Sequence, residues 1–224
     1  MDEVEGEKRS AAAAAAALVE DGMVVGLGTG STVADLLPAL GYRRLDVSCV
    51  ATSPATESLA RAEGLRVGPF EGIDRLDMAI DGADQVDPDG WLVKGGGGAH
   101  TREKIVAAAA DRFIVIVSSN KLVARLSSPV PLEIMAFGLD SVLRSLPGVE
   151  VRRAPLTPDG GVLADYHGDI HEPEQLAAKF GATPGVVGHG LFPPSMVSLV
   201  VVGRGDRVET FRPGAPGTSP RLEA

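Results

Sequence analysis

"MVVGLGTGSTVADLLPAL", residues 23 to 40, runs from an apolar segment through three alternating glycines into helix-forming text. Met23-Val24-Val25 begins a buried strand, residues 26 to 30 form a loop, and a helix follows over about 31 to 40. A strand that feeds a helix through a glycine loop is the building unit of α/β proteins. The same unit recurs on either side. Upstream, residues 3 to 20 read as a helix on propensity, with seven alanines over 11 to 17, and Asp21-Gly22 ends it. Downstream come a strand over 45–51, a helix over 54–63 with proline in its first turn, and a short strand over 65–67. Strands over 76–80, 91–93 and 113–117 and a helix over 100–110 complete the pattern.

This alternation across residues 1 to 120 predicts an α/β fold: a mostly parallel, Rossmann-like sheet with helices on both faces. Beyond Pro129 the texture changes. A helix (137–146), strand (149–153), turn (157–161), strand (162–166), helix (173–180) and strand (185–187) read as a smaller α+β unit. The apolar run 196–202 returns the chain to the first sheet. The expected organisation is an α/β catalytic domain from 1–128 and 196–212, a smaller domain from 129–195, and a loose tail over 213–224.

Composition narrows the function. The 224 residues are 44% apolar but only 4% aromatic, and the net charge is −9. No basic stripe with interleaved aromatics stands out, which argues against nucleic acid as a partner. Apolar runs stay well below the roughly 18 residues of a membrane span. The acidic N-terminus lacks the apolar core of a signal peptide. The lone Cys49 excludes an intrachain disulfide and reads as a small buried strand residue. These features predict a soluble cytoplasmic protein.

The loop Gly26-Leu27-Gly28-Thr29-Gly30-Ser31-Thr32 is not the dinucleotide fingerprint, because Ser31 stands where the third glycine belongs. No lysine follows Gly30, so it is not a P-loop either. What remains is a backbone that approaches an anion closely, N–H groups at a helix start, and the hydroxyls of Thr29, Ser31 and Thr32. A phosphate monoester suits that device; a plain tight turn with Ser31 as N-cap is the alternative.

The second dense stretch is "DGADQVDPDGWLVKGGGGAHTREK", residues 81 to 104. Asp81 and Asp84 follow a strand directly, at the carboxyl end where α/β proteins bind ligands, and Gly82 lets the backbone turn between them. Asp87-Pro88-Asp89-Gly90 is a turn and does not match a calcium loop. Lys94 precedes four glycines, which implies a close backbone approach to something. Glu103 shares a helix face with Val106, Ala107 and Ala110, so its carboxylate is partly desolvated and raised toward the strength of a general base. A first-turn glutamate that only complements the helix dipole is the alternative. Asp165, His167, Asp169 and His171 alternate as metal ligands on a strand face would, although Gly168 favours a structural role. His189 reads as a loop residue.

Taken in order, these blocks resemble the type A ribose-5-phosphate isomerase family. The resemblance rests on the two stretches above, on Lys121, and more weakly on Pro129-Val130-Pro131-Leu132-Glu133 and Gly188-His189-Gly190-Leu191-Phe192. It implies a metal- and cofactor-free aldose–ketose isomerase of the pentose phosphate pathway, usually a homo-oligomer. It implies Glu103 as the proton-shuttling base. It further implies substrate contacts from Thr29, Gly30, Ser31, Thr32, Asp81, Gly82, Ala83, Asp84, Lys94, Gly95, Gly96, Gly97 and Lys121. Three positions depart from the family pattern: Ser118-Ser119-Asn120-Lys121 replaces Asp-x-Ser-Lys, His100 stands where an apolar residue is common, and Gly161 stands where asparagine closes a turn.

For that reaction, Lys94 or the amides of residues 95–97 would face the developing oxyanion. Asp81 and Asp84 are equal candidates for opening the sugar ring. Lys8 is a candidate aid to the phosphate grip, against an ordinary surface role. The rivals are a sugar-phosphate sensor without catalysis, against which the base and lysine speak, and a coenzyme A transferase, for which no nucleotide-binding block is present.

Overall fold

The computed structural model describes residues 3–214. Its first part runs α1 (Glu3–Ala16), β1 (Val24–Leu27), α2 (Ser31–Arg43), β2 (Ser48–Ala51), α3 (Pro54–Ala62), β3 (Arg66–Gly68), β4 (Met78–Asp81), β5 (Gln85–Val86), β6 (Leu92–Val93), α4 (His100–Ala108) and β7 (Phe113–Ser118). The second part runs β8 (Val130–Met135), α5 (Leu139–Ser145), β9 (Val149–Val151), β10 (Gly161–Tyr166), α6 (Pro173–Ala182), β11 (Val186–His189), β12 (Leu191–Phe192), β13 (Leu199–Arg204) and β14 (Arg207–Phe211). Of the tail expected over 213–224, everything from residue 215 lies outside the described residues.

Seven strands form the main sheet in the order β14-β13-β7-β4-β1-β2-β3. Every neighbouring pair is parallel except the β13–β14 hairpin. From β1 the chain steps outward through β2 and β3, then crosses back to β4 on the other side of β1. The winding therefore reverses between β1 and β4, and a parallel sheet opens a ligand crevice at such a switch point, beyond the carboxyl ends of the strands. Leu27 pairs with Ile80, so the residues that leave these strands, Gly28 and Asp81, emerge side by side.

One sheet face is covered by α1 and α2. Ala11, Ala12, Ala15 and Ala16 are buried there against Val25, Leu27, Ile114 and Ile116. The alanine run allows α1 to lie almost on the strands; a Cβ at Gly203 of β13 would come within 1.9 Å of the Glu7 carbonyl oxygen. Val106 and Ala107 of α4 pack on the other face with Phe113, Val115 and Phe192. A second, antiparallel sheet, β11-β8-β10-β9, encloses its own core of Leu132, Ile134, Val142, Leu146 and Phe180. The strands β5, β6 and β12 form a small three-stranded sheet that ties residues 92–93 to 191–192. Among the described residues, no helix is long and apolar enough to cross a membrane.

Several expected boundaries move for physical reasons. The first helix stops at Ala16 rather than continuing to 20, and the Arg43 guanidinium donates to the carbonyls of Ala16 and Val19 at that end. Gly26 belongs to β1, not to the loop; a side chain there would collide with Val106. Strand β8 was not expected, because Pro129 and Pro131 break the apolar text and proline cannot donate to a ladder. Here Pro131 sits near the strand start and instead accepts from Gly190 N–H at 2.7 Å. Strand β14 was also not expected: it is an edge strand with four of five residues exposed, so it carries no apolar signal.

Candidate active site

The carboxyl end of β1 shows what the glycine loop is for. A Cβ on Gly28 would lie 1.9 Å from Asp81 Cγ, so this glycine leaves the space that the Asp81 carboxylate fills. The constraint at Gly30 is conformational instead: it stands at the N-cap of α2 with φ 139, where L side chains are disfavoured. Ser31 is therefore the first helical residue and not the cap. Among the described residues the hydroxyls of Ser31 and Thr32 have no protein partner, while the Thr29 hydroxyl is engaged with Thr52 at 2.8 Å and Thr56 at 3.2 Å. The first amides of α2 and two hydroxyls face one cavity, and a helix N-terminus attracts an anion.

At the end of β4, Asp81 is held by Thr29 N–H at 3.1 Å and Gly82 N–H at 2.7 Å, both on Oδ1. Its Oδ2 faces Lys94 Nζ at 2.9 Å, and Glu103 Oε2 faces the same nitrogen at 3.1 Å. Lys94 also donates to the Gly82 carbonyl. All three charged side chains are buried, at 2–5% exposure. Glu103 is there because α4 turns its buried stripe of His100, Glu103, Val106 and Ala107 toward the sheet. Burial pushes the Glu103 carboxyl up to about 8, with the Asp81 charge adding to the rise and Lys94 opposing it. Burial also raises Asp81, against the pull of Lys94. For Lys94 burial works downward, but the two carboxylates outweigh it and its pKa is raised, so it stays a cation. Two carboxylates sharing one ammonium leave a base that can take a proton near neutral pH.

Asp84 differs from Asp81. It is half-buried, its Oδ2 accepts from Gly96 N–H at 2.8 Å, and its Oδ1 has no protein hydrogen-bond partner among the described residues. Residues 29–32, 82–84 and 94–97, with Lys121 and Glu103, line one cavity of about 110 Å³; Asp81, an expected substrate contact, does not line it but is bonded to Thr29, Gly82 and Lys94, which do. Larger clefts of about 860 Å³ and about 460 Å³ open nearby but hold no comparable cluster of buried charge.

Residues 48–207 match the family model of ribose 5-phosphate isomerase A (phosphoriboisomerase A). A ribose-5-phosphate isomerase A of Methanosarcina acetivorans is 43% identical over 215 residues, 89% of this chain and 91% of that one. The chain belongs to the ribose 5-phosphate isomerase A family. The isomerase A fold follows it: the ribose 5-phosphate isomerase A of Methanocaldococcus jannaschii is 34% identical with a TM-score of 0.86, covering 92% of this chain and 97% of that one. A D-ribose-5-phosphate isomerase solved in complex with phospho-erythronic acid is 33% identical with a TM-score of 0.88, covering 93% and 99%.

Within this isomerase A chain, the positions that depart from the family pattern have local explanations. Asn120 Oδ1 accepts from Ser118 Oγ at 2.6 Å, which closes the turn that carries Lys121. Gly161 makes room for Glu133, whose Oε1 would be 2.1 Å from a Cβ there and which accepts from Thr157 Oγ1 at 2.6 Å. His100 is fully buried beneath Gly95, and burial, with the charges of Lys104 and Arg152, pushes its pKa down to about 3, so it is neutral. His189 is not a loop residue; it ends β11 and its ring packs on Phe180 at 5.8 Å. The alternating Asp165, His167, Asp169 and His171 do not share a strand face, because β10 ends at Tyr166, and Asp165 is paired with Arg152. Lys8 pairs with Glu5 at 2.6 Å and does not line the cavity.

Two supporting residues escaped the sequence reading. Glu7 is buried and accepts from Ser119 N–H at 2.9 Å and Gly205 N–H at 2.8 Å, anchoring the turn before Lys121. Arg152 reaches the glycine run from the second sheet. Both act over long sequence separations, and no local pattern marks them.

Proposed function

We propose that this chain interconverts ribose 5-phosphate and ribulose 5-phosphate, with Glu103 carrying one proton between C1 and C2. The observation that supports it is a buried, up-shifted Glu103 carboxylate beside Lys94, in a cavity whose far end is the N-terminus of α2. The phosphate belongs at Ser31, Thr32, the first amides of α2 and Lys121. Asp84 opens the ring: it takes the anomeric hydroxyl proton and returns it to the ring oxygen. Asp81 is less suited, because its oxygens are committed to Thr29, Gly82 and Lys94. Glu103 then removes the C2 proton, the electron pair moves through C1 to O1, and Lys94 with the glycine amides balances the enediolate charge. Glu103 returns its proton to C1 as the hydroxyl proton of O2 moves to O1, leaving the ketose.

A spectroscopic assay for ketose formation from ribose 5-phosphate, run with EDTA, tests the reading; no ketose would end it. Ser31→Ala with Thr32→Ala removes two donors to a dianion remote from the reacting carbons. KM is expected to rise roughly 10–100-fold with kcat within about threefold, and inorganic phosphate to inhibit correspondingly less. An unchanged KM would move the phosphate elsewhere.

We further propose a homo-oligomer and a cytoplasmic location. Ile105, Met135 and Val187 are about half exposed and line the cleft of about 860 Å³, and Phe137 is 99% exposed. Apolar surface of this kind favours a partner; a monomeric mass by light scattering at micromolar concentration would refute self-association. Buried, unpaired Cys49 suits a reducing compartment, and recovery of the protein in a membrane or secreted fraction would refute that placement.

A further inference from the structure

We propose that Arg152 is a positioning residue for the reaction: it fixes the two peptide planes of the glycine run so that the Gly97 N–H points at the reacting end of the substrate. This rests on the isomerase reading above. Arg152 follows β9, and its backbone N–H donates to Leu163 of β10 at 2.9 Å, so the residue starts from a rigid sheet. Its guanidinium makes a two-pronged pair with Asp165: Nε to Oδ2 at 2.7 Å and Nη2 to Oδ1 at 2.6 Å. That leaves Nη1, which donates to two successive carbonyls, Gly95 at 3.0 Å and Gly96 at 3.2 Å. Arg152 and Asp165 side chains are only 18% and 17% exposed, so the pair is largely removed from solvent.

A trans peptide carries its C=O and the next N–H on opposite edges of one plane. Holding the Gly95 carbonyl therefore aims the Gly96 N–H the other way, and that N–H meets Asp84 Oδ2 at 2.8 Å. Holding the Gly96 carbonyl aims the Gly97 N–H in the same manner. Among the described residues this N–H has no protein acceptor, and Gly97 lines the cavity with Glu103 and Lys94. A run of four glycines has no side chains to select such an arrangement, and its freedom is the largest any residue has. A turn bond from Gly98 N–H to the Gly95 carbonyl at 3.0 Å holds one plane in part, and two neighbours complete the selection. His100 packs under Gly95, whose φ is +104 and whose Cβ would lie 2.7 Å from the ring Nδ1. Arg152 holds the carbonyls from the other sheet. A cation on the carbonyl side also polarises each peptide, which strengthens the opposite N–H as a donor.

The test separates the reacting end from the phosphate end. Two competitive inhibitors serve as probes: phospho-erythronic acid, which spans both ends, and inorganic phosphate, which reports only the helix end. Arg152→Ala is expected to lower kcat roughly 10–100-fold and to weaken phospho-erythronic acid by about tenfold or more, with phosphate inhibition unchanged within about twofold. Asp165→Asn keeps the guanidinium on the carbonyls and should lose less, and the double variant should lose no more than Arg152→Ala alone. Arg152→Lys should recover part of the kcat by contacting one carbonyl; if Arg152→Ala does not fold, Arg152→Lys carries the same two criteria. A folded Arg152→Ala, or Arg152→Lys where the alanine variant does not fold, with kcat within about twofold of wild type overturns the proposal, and so does an equal loss of affinity for both inhibitors. If the wild-type chain forms no ketose, it is the isomerase reading that fails, and the two failures are told apart.

Discussion

Glu103→Gln is expected to lower kcat by roughly 10²–10⁴-fold, while affinity for phospho-erythronic acid and phosphate stays within a few-fold. The amide keeps the shape of the side chain and cannot accept the C2 proton. The same variant should change the pH profile. The base works only when ionised, and burial holds the Glu103 carboxyl up at about 8. The acid limb of kcat/KM in the wild type should therefore sit well above the ordinary glutamate range and rise with pH through it. Its midpoint belongs to the Asp81–Lys94–Glu103 group as a whole. In Glu103→Gln the residual rate should lose that limb. Stability carries the opposite sign. A carboxyl whose folded pKa is raised favours folding fully below its unfolded value near 4.5, and that contribution is lost as pH rises through about 8. Glutamine cannot ionise, so at pH 9 the variant should melt at or above the wild type. Wild-type-like turnover, or an unchanged acid limb in the variant, would remove Glu103 as the base.

The site was legible in the sequence to the extent that its parts are local. Gly28, Gly30, Ser31 and Thr32 sit in one turn, and the requirement for glycine can be read without knowing that Asp81 fills the space at Gly28. Glu103 could be placed on the buried face of a short helix by spacing alone. The alternation of strands and helices carried the main sheet, since each buried parallel strand is a continuous apolar run. What escaped was non-local or unmarked by burial. Strand β8 hides between prolines, and β14 is exposed. Glu7 and Arg152 are ordinary charged residues in the text, and their roles exist only because the fold brings residue 7 to 119 and residue 152 to 95. Ser31 was open to two readings because a helix start and a ligand grip use the same residue types; the cap geometry at Gly30 removes the N-cap reading.

Lys94→Met should damage both turnover and the fold, and the two losses can be separated. Methionine matches the length of lysine but leaves Asp81 and Glu103, at 3% and 5% exposure, facing each other without a cation. Removing one partner from a buried charge cluster costs about 3–5 kcal/mol, which for a chain of this length lowers Tm by about 6–20 °C. The loss should grow with pH, because both carboxyls are then raised further and the folded state holds protons that the unfolded chain has already released. Losing the cation beside the enediolate should lower kcat by roughly 10²–10³-fold or more. Adding Asp81→Asn to Lys94→Met removes the like-charge contact, so thermal stability at pH 8 should recover much of the deficit while turnover does not. If the double variant regains activity along with stability, Lys94 acts only by holding the fold. If Lys94→Met alone melts like the wild type at pH 8, the buried cluster does not carry the charges assigned to it, and the up-shift of Glu103 has no cause.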